Sequence, residues 1–257
     1  MHSSAGQEGS ESMILTVANQ KGGTAKSTTA AAIAQAAAHS GKKTLVIDLD
    51  PQSNLTYFLA ADGSKAGSYE LLQGQPAEVQ HISANLDAIA ASWDLQTIVT
   101  ADGSARRLKT ALRPLQGFYS LVIIDTPPTA GELQYNALMA SDSLVIPLQA
   151  DICGLQGLYQ MASTARRMQR SNSALTITGY ILTRYSSRST IARQMAQTIQ
   201  ERAEALNIPF LMAIREGVAI REAQTLQRDL YQYAPASKPA ADYMALYEKL
   251  MQHENGQ

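Results

Sequence analysis

The segment Asn19–Thr29, with the sequence NQKGGTAKSTT, contains the residue types that bind phosphate. Gly22 and Gly23 provide backbone that can curve closely around an anion. Lys26 supplies the ammonium group that such a loop places at the β- and γ-phosphates, and the hydroxyl of Ser27 follows it as a magnesium ligand. The pattern therefore predicts a loop that binds nucleotide phosphates together with magnesium.

This loop departs from the common GxxxxGK[ST] pattern at two positions and adds a second lysine. Gln20 and Ala25 stand where that pattern has glycines, and Lys21 directly precedes the glycine pair. A methyl group at Ala25 leaves the backbone N–H available and need not block the loop. We expect either a lower affinity for ATP or a φ at this residue that alanine tolerates poorly. A glycine-rich turn with two solvated lysines is the alternative. It is disfavoured because an apolar run precedes the segment and an alanine-rich run follows it.

Three aspartates follow apolar runs at points where a strand would end. Asp48 and Asp50 come after the run Thr44–Ile47, and the alternation of an extended chain sends both side chains to the same side. Asp125 follows the run Leu121–Ile124. Because doubly wound sheets bind ligands at the carboxyl ends of their strands, the three carboxylates are candidates for the same site as the loop.

Short apolar runs alternate with helix-forming segments, and this alternation predicts a mostly parallel, doubly wound α/β sheet with helices on both faces. The chain has 257 residues, of which 45% are hydrophobic, enough for one domain of this kind. We expect that domain over residues 13–252, a flexible tail at 1–12 and a short tail at 253–257. Residues 55–85 are the least regular part and are compatible with two short helices. The predicted strands are Met13–Ala18, Thr44–Ile47, Leu86–Ala90, Leu121–Ile124, Ser143–Pro147, Thr176–Leu182 and Pro209–Ile214, and the predicted helices are Ser27–Ser40, Ala105–Leu115, Gly154–Gln169, Thr190–Leu206 and Ala240–Gln252.

Three motifs, in this order, resemble those of the ParA/MinD family of P-loop ATPases. Residues 21–28 read KGGTAKST, which is similar to the family's deviant Walker A motif KGGxGK[ST]. Residues 48–54 read DLDPQSN, similar to DxDPQGN, and residues 125–128 read DTPP, as in the family. Ala25 and Ser53 replace family glycines. Further matching segments lie at 147–151, 181–185, 214–223 and 233–237, so the resemblance covers about residues 13–250.

The resemblance implies ATP or ADP and Mg²⁺ as cofactors and a homodimer that forms on ATP. In the family, the early lysine reaches across the dimer to the partner's phosphates, which implies that role for Lys21. Lys26 would serve the phosphates of its own subunit, Ser27 would ligate magnesium, and Thr28 would donate to the α-phosphate side. The fold that the family implies is a P-loop NTPase of the deviant Walker A type.

The resemblance also implies roles for the carboxylates and a place for adenine. Asp50 would orient or activate the attacking water, Asp48 would support the magnesium shell, and Asp125 would hold magnesium through water. Segments around Thr183–Arg184 and Ile214–Gly217 match family regions that border adenine. The predicted catalytic residues are Lys21 and Asp50, and the predicted nucleotide-binding residues are Gly22, Gly23, Thr24, Ala25, Lys26, Ser27, Thr28, Asp48, Asp125, Thr183, Arg184 and Arg215.

Arginines are concentrated in the second half of the chain. Residues 151–230 carry ten arginines, no lysine and six acids, although the whole chain has a net charge of −1. Such a stretch is either ordinary surface variation or a face for phosphates or DNA. Family members bind DNA through arginines near residues 214–223, where Glu216 and Ala219 here replace two of them. The candidate DNA contacts are Arg188, Arg193, Arg215 and Arg221.

Composition disfavours other classes within and beyond this family. The single cysteine, Cys153, leaves no ligand set for a zinc or iron–sulfur site contained in one chain. No apolar run reaches the roughly 18 residues of a membrane span. The end of the chain, MALYEKLMQHENGQ, has one lysine and two glutamates, which argues against a basic helix that lies on membranes. The start has no secretory signal, so we expect a cytoplasmic protein, associated with the nucleoid if it binds DNA.

Three functions remain open at this stage. The resemblance favours a slow ATPase that binds non-specific DNA as an ATP dimer. It would be stimulated by a ParB-like DNA-binding partner and would partition a plasmid, chromosome or mobile element. The alternative is an ATP-gated module that recruits a protein or represses a promoter, with little hydrolysis or DNA affinity. A third possibility is a positioning protein of the same family that recognises a polar or cytoskeletal partner.

Overall fold

The computed structural model describes residues 12–98, 104–115 and 117–254. The described strands form one eight-stranded sheet in the order β3-β4-β2-β5-β1-β6-β7-β8. All neighbouring strands run parallel except β3 and β4, which are antiparallel. The strands are β1 Met13–Val17, β2 Thr44–Asp48, β3 Gln80–Ser83, β4 Leu86–Ile89, β5 Leu121–Asp125, β6 Ser143–Leu148, β7 Thr176–Tyr185 and β8 Phe210–Arg215.

Ten α-helices lie within the described ranges. Three short 3₁₀ turns, Trp93–Thr97, Ser104–Arg106 and Arg113–Leu115, flank them. The helices are α1 Lys26–His39, α2 Asn54–Phe58, α3 Ser68–Leu72, α4 Arg107–Leu112, α5 Glu132–Ala140, α6 Ile152–Gln169, α7 Thr190–Ala205, α8 Val218–Thr225, α9 Leu230–Tyr233 and α10 Lys238–Glu254.

The central strands are buried along their whole length because helices cover both faces of the sheet. Every residue of β2, β5 and β6 is buried, which is why these strands are continuous apolar runs rather than alternating ones. Helix α1 is alanine-rich and almost completely buried. Its small side chains pack with β1, β2, β5 and α10. The strand that precedes the phosphate loop and the helix that follows it are thus held rigidly in the core.

The doubly wound, mostly parallel sheet predicted from the sequence is confirmed, with some differences in its elements. The segment 55–85 contains the two expected short helices, but residues 80–83 add an antiparallel edge strand that the sequence analysis missed. Three of its four residues, QHIS, are polar, and none of the four is fully buried. The helix expected over Ala105–Leu115 is α-helical only from 107 to 112, because Pro114 cannot donate to continue it. Helices α5, α8 and α9 were not predicted.

The tails predicted at 1–12 and 253–257 lie almost entirely outside the residues whose side chains the structure describes. Ser12 is the exception, and its hydroxyl donates to the carbonyl of Tyr119 at 2.5 Å. Across the described ranges, no helix is both long and apolar enough to cross a membrane.

Candidate nucleotide-binding site

The predicted phosphate loop joins β1 to α1. Lys26 is the first residue of α1, and no side chain caps that end of the helix, so the first N–H groups are left for another acceptor. Gly23 has a φ of +77°, and Ala25 has a φ of 63°. Both values lie in the left-handed region, where a Cβ is strained. The loop is therefore an anion cradle at a helix N-terminus, and the unfavourable φ expected at Ala25 is confirmed.

Side chains from distant parts of the chain brace this loop. The Asn19 amide donates to the carbonyl of Pro147 at 2.7 Å, and its oxygen accepts from the Lys21 N–H at 3.1 Å. Gln149 donates to the carbonyl of Gly23 at 3.0 Å, and Thr183 donates to that of Thr24 at 3.2 Å. Residues at the ends of β6 and β7 thus hold the loop in place.

The two lysines of the loop have different surroundings. Lys26 is buried, and its ammonium donates to the carbonyl of Lys21 at 3.2 Å. Burial lowers the pKa of Lys26, and the carboxylates of Asp125 and Asp50 oppose that shift. Lys21 is partly exposed, and its ammonium lies 3.3 Å from both carboxylate oxygens of Asp151. One lysine is thus placed for a ligand in its own loop, while the other is held at the surface.

Asp125 is the most unusual carboxylate in the site. It ends β5 with no exposed surface, and neither oxygen has a hydrogen-bond partner among the described residues. Burial raises the pKa of Asp125 well above its ordinary value, and repulsion by Asp48 adds to the rise. The hydroxyl of Ser27 and the ammonium of Lys26 oppose it. An unsatisfied buried carboxylate is costly, so this position is suited to a cation.

Asp48 and Asp50 form a compact turn at the end of β2. Asp48 accepts from the N–H of Asp50 at 3.0 Å, from the N–H of Thr56 at 2.9 Å and from the Thr56 hydroxyl at 2.8 Å. Burial raises the pKa of Asp48 to about 6 against these hydrogen bonds. Asp50 is also buried and accepts from the N–H of Gln52 at 3.0 Å. Both oxygens of Asp48 are engaged within its own loop, and its support of the magnesium shell stays a prediction.

The donor set fits magnesium. Asp125 offers two unpartnered oxygens beside the hydroxyl of Ser27, and hard oxygen ligands are those that Mg²⁺ prefers. No group of three or more His, Cys, Asp or Glu side chains in the described ranges is arranged to hold a metal unaided.

A cavity beside the phosphate loop lies where adenine was predicted. Thr183 is buried, with its hydroxyl donating to the carbonyls of Thr24 and Leu148. Arg184 has a left-handed φ of 51°, and Arg215 is paired with Asp242 at 2.6 Å. The residues that line the cavity are Ala25, Thr28, Thr183, Arg184, Ile214, Arg215, Glu216, Gly217, Ile220, Arg221, Gln224 and Tyr243.

The candidate DNA arginines lie on exposed surface. Arg188, Arg193 and Arg221 are exposed, and none of them forms an ion pair with a carboxylate of the described residues. Arg193 donates to the carbonyl of Ser187 at 2.6 Å. Arg215 differs from them, because its guanidinium makes several contacts with Asp242.

Several residues of the site were not predicted. Asp151 holds Lys21, Gln149 and Asn19 brace the loop, and Gln224 of α8 donates to the hydroxyl of Thr28 at 3.0 Å. Asn19 lay inside the loop motif, and Gln149 and Asp151 lay inside the matching segment at 147–151, so the motifs contained a signal. Nothing in the sequence pointed to Gln224.

Comparisons with known proteins agree with this geometry. The family described as "AAA domain" matches residues 12–177. The chromosome-partitioning ATPase Soj of Thermus thermophilus is 35% identical over 240 residues, covering 92% of this chain and 94% of that protein. The chromosome partitioning protein ParA of Myxococcus xanthus is 33% identical over 255 residues, covering 94% and 88%.

Solved structures are also similar to this chain over most of its length. Cobyrinic acid a,c-diamide synthase from Mycobacterium smegmatis, with bound ADP and magnesium, is 31% identical. It superposes with a TM-score of 0.82 over 96% of this chain and 97% of that one. The McdA(D38A)–ATP complex from Cyanothece is 26% identical, with a TM-score of 0.80 over 94% and 97%. The fold and the loop define a P-loop ATPase of the deviant Walker A class. Within that class, the chain belongs to the ParA/MinD family.

Proposed function

We propose that this chain is a slow, Mg²⁺-dependent ATPase of the ParA type that dimerises on ATP and acts in DNA partitioning. The observation that carries the proposal is the buried Asp125 carboxylate, which has no hydrogen-bond partner among the described residues and lies near Lys26 and Ser27. Ionisation of a buried carboxylate whose oxygens lack hydrogen-bond partners is costly. Binding of MgATP would compensate it, so the site favours that ligand over an empty loop.

Phosphoryl transfer to water depends mainly on positioning and charge neutralisation. Magnesium, when bound with ATP, would supply positive charge at the phosphate oxygens. Lys26 would exchange the carbonyl of Lys21 for the β- and γ-phosphates, while the N–H groups at the start of α1 bind the same anion. Asp50 would orient the attacking water, since it lies in a turn held by Asp48. These groups leave the charge at the γ-phosphate only partly neutralised.

Lys21 of a second subunit would supply the missing charge. In the single protomer, its ammonium is paired with Asp151. It must therefore exchange that carboxylate for the phosphates of the partner's ATP when the two subunits close. An exposed ion pair of this kind contributes only about 0–1 kcal/mol, so the exchange is easily driven by a triphosphate. Hydrolysis would then depend on dimerisation, and the loss of the γ-phosphate would release the dimer.

DNA binding and a ParB-like stimulator extend the proposal. They are supported by the exposed Arg188, Arg193 and Arg221 and by the similarity to Soj and ParA proteins. One observation favours the second candidate, an ATP-gated module with little DNA affinity. Arg215 is neutralised by Asp242 and is thus less available to a phosphate backbone.

Size-exclusion chromatography with and without MgATP tests the proposal. We expect the wild type to shift to a dimer with MgATP. Lys26→Ala should lose ATP binding and stay monomeric, whereas Lys21→Ala should bind ATP but fail to dimerise. A Lys21→Ala protein that dimerises like the wild type would refute the cross-subunit role of that lysine, and a wild type that does not bind ATP would refute the proposal as a whole.

A further inference from the structure

We propose that the groove between α3 and α4 docks an apolar segment of a partner protein that carries carboxylates. The groove has a volume of about 760 Å³. It opens on the β3–β4 side of the sheet, on the face opposite the one that α1 covers, and it shares no lining residue with the cavity beside the phosphate loop. This proposal does not rest on the proposed ATPase function.

The floor and walls of the groove are apolar and stiff. Leu71, Leu72 and Ile89 are the buried lining residues and form the floor, and Pro76 and Pro114 also line the groove. The proline rings fix the backbone φ at these two positions, which limits movement of the backbone into the groove. Side chains of this kind accept leucine-like anchors of a partner helix or strand. The remaining lining residues are Gln73, Gly74, Gln75, Ala77, Val79, Arg106, Arg107, Thr110, Ala111 and Leu115.

The charged side chains that line the groove indicate which kind of segment it binds. Arg106 and Arg107 line it, and none of the described residues that line the groove is acidic. Neither arginine has an ion pair or a side-chain hydrogen bond to the described residues. The stretch 104–115 reads SARRLKTALRPL, with four basic residues and no acid. Two guanidinium groups that have no acidic partner among the described residues, beside an apolar floor, match a segment with carboxylates beside its apolar side chains. Nucleic acid fits less well, because its backbone gains nothing from an apolar floor.

The groove touches an element that supports the site. Ser68, the first residue of α3, donates its hydroxyl to the carbonyl of Asp48 at 2.5 Å and to that of Ala90 at 3.0 Å. Leu71 and Leu72 of the same short helix form the groove floor. A segment bound in the groove would therefore contact the helix that holds the end of β2, where Asp48 and Asp50 lie.

Fluorescence anisotropy with two labelled peptides tests the proposal on the full chain. One peptide is an amphipathic helix of about 16 residues with a leucine stripe flanked by glutamates. The other has lysines in place of the glutamates. We expect the glutamate peptide to bind at least about tenfold more tightly than the lysine peptide. Equal binding of the two peptides, or no binding of either, would overturn the proposal.

Charge-reversal variants locate the site. Arg106→Glu and Arg107→Glu should each weaken the glutamate peptide several-fold, and Ala111→Trp, which fills the groove, should abolish its binding. Arg113→Glu is the matched control, since Arg113 is exposed on the same segment but does not line the groove, and it should bind like the wild type. An equal loss in Arg113→Glu would overturn the proposal. The proposal would also be overturned if a DNA duplex displaced the glutamate peptide and if this displacement required Arg106 and Arg107.

Discussion

Replacing Ala25 with glycine should stabilise the protein, because Ala25 has a left-handed φ of 63° in the phosphate loop. An L-residue in that conformation loses about 1–2 kcal/mol relative to glycine. Glycine also gives the unfolded chain more conformational freedom, which lowers the free energy of unfolding by roughly 0.5–1 kcal/mol. Ala25 is only partly buried, so the loss of its methyl group adds little. The expected net gain is about 0.5–1 kcal/mol in the free energy of unfolding.

Differential scanning calorimetry and urea unfolding measure this gain. For a chain of this size, we expect the Tm to rise by about 1–4 °C. Ser53→Gly is a parallel case, since Ser53 also replaces a family glycine and has a φ of 55°. Ala196→Gly is the control of opposite sign, because Ala196 lies in the middle of α7 and is partly buried like Ala25, and glycine in a helix interior costs about 1 kcal/mol.

The same variant tests whether the loop is formed before the nucleotide binds. If Ala25 is left-handed in both states, ATP affinity should change by less than about twofold while stability rises. An Ala25→Gly protein with unchanged or lower stability would refute the strain argument. A gain that shows only in ATP affinity would show that the loop takes this conformation only with ligand.

Three further predictions follow from the site. Burial raises the pKa of Asp125 above its unfolded value, so its ionisation costs stability as pH rises through that raised pKa. Without nucleotide at pH 8, Asp125→Asn should therefore have a higher Tm than the wild type. Addition of MgATP should not raise the Tm of this variant. Asp50→Ala should slow phosphate release at least about tenfold and lengthen the lifetime of the ATP dimer; turnover equal to the wild type would contradict its role. Arg188→Glu and Arg221→Glu should each weaken MgATP-dependent DNA retention on a filter several-fold. Arg170→Glu should not, because this exposed arginine lies at the C-terminal end of α6 and precedes β7, whereas Arg188 follows the other end of β7.

Local patterns predicted the phosphate loop and the strand ends well. Lys26, Ser27 and the three aspartates each belong to a short motif next to an apolar run, so spacing alone brings them to one edge of a parallel sheet. The register of the sheet supports this, because Asp48 and Asp125 are direct neighbours on β2 and β5.

Contacts between distant parts of the chain were beyond the sequence. Asp151 lies 130 residues from Lys21, and Gln224 lies 196 residues from Thr28. Neither spacing has a periodic or compositional signal. The edge strand Gln80–Ser83 was missed because polar, half-buried residues lack the alternation that marks a strand.

A mixing experiment tests most directly whether Lys21 acts across the dimer. The Lys21→Ala variant retains Asp50 in its own ATP site. The Asp50→Ala variant retains Lys21, which can enter the ATP site of its partner. We expect each variant alone to hydrolyse ATP very slowly. Each mixed dimer has one complete site, so an equimolar mixture should be clearly more active than either variant alone. Its turnover should reach at most about a quarter of the wild-type value, which is the limit for random pairing. A mixture no more active than its two components would contradict the exchange of lysines between subunits.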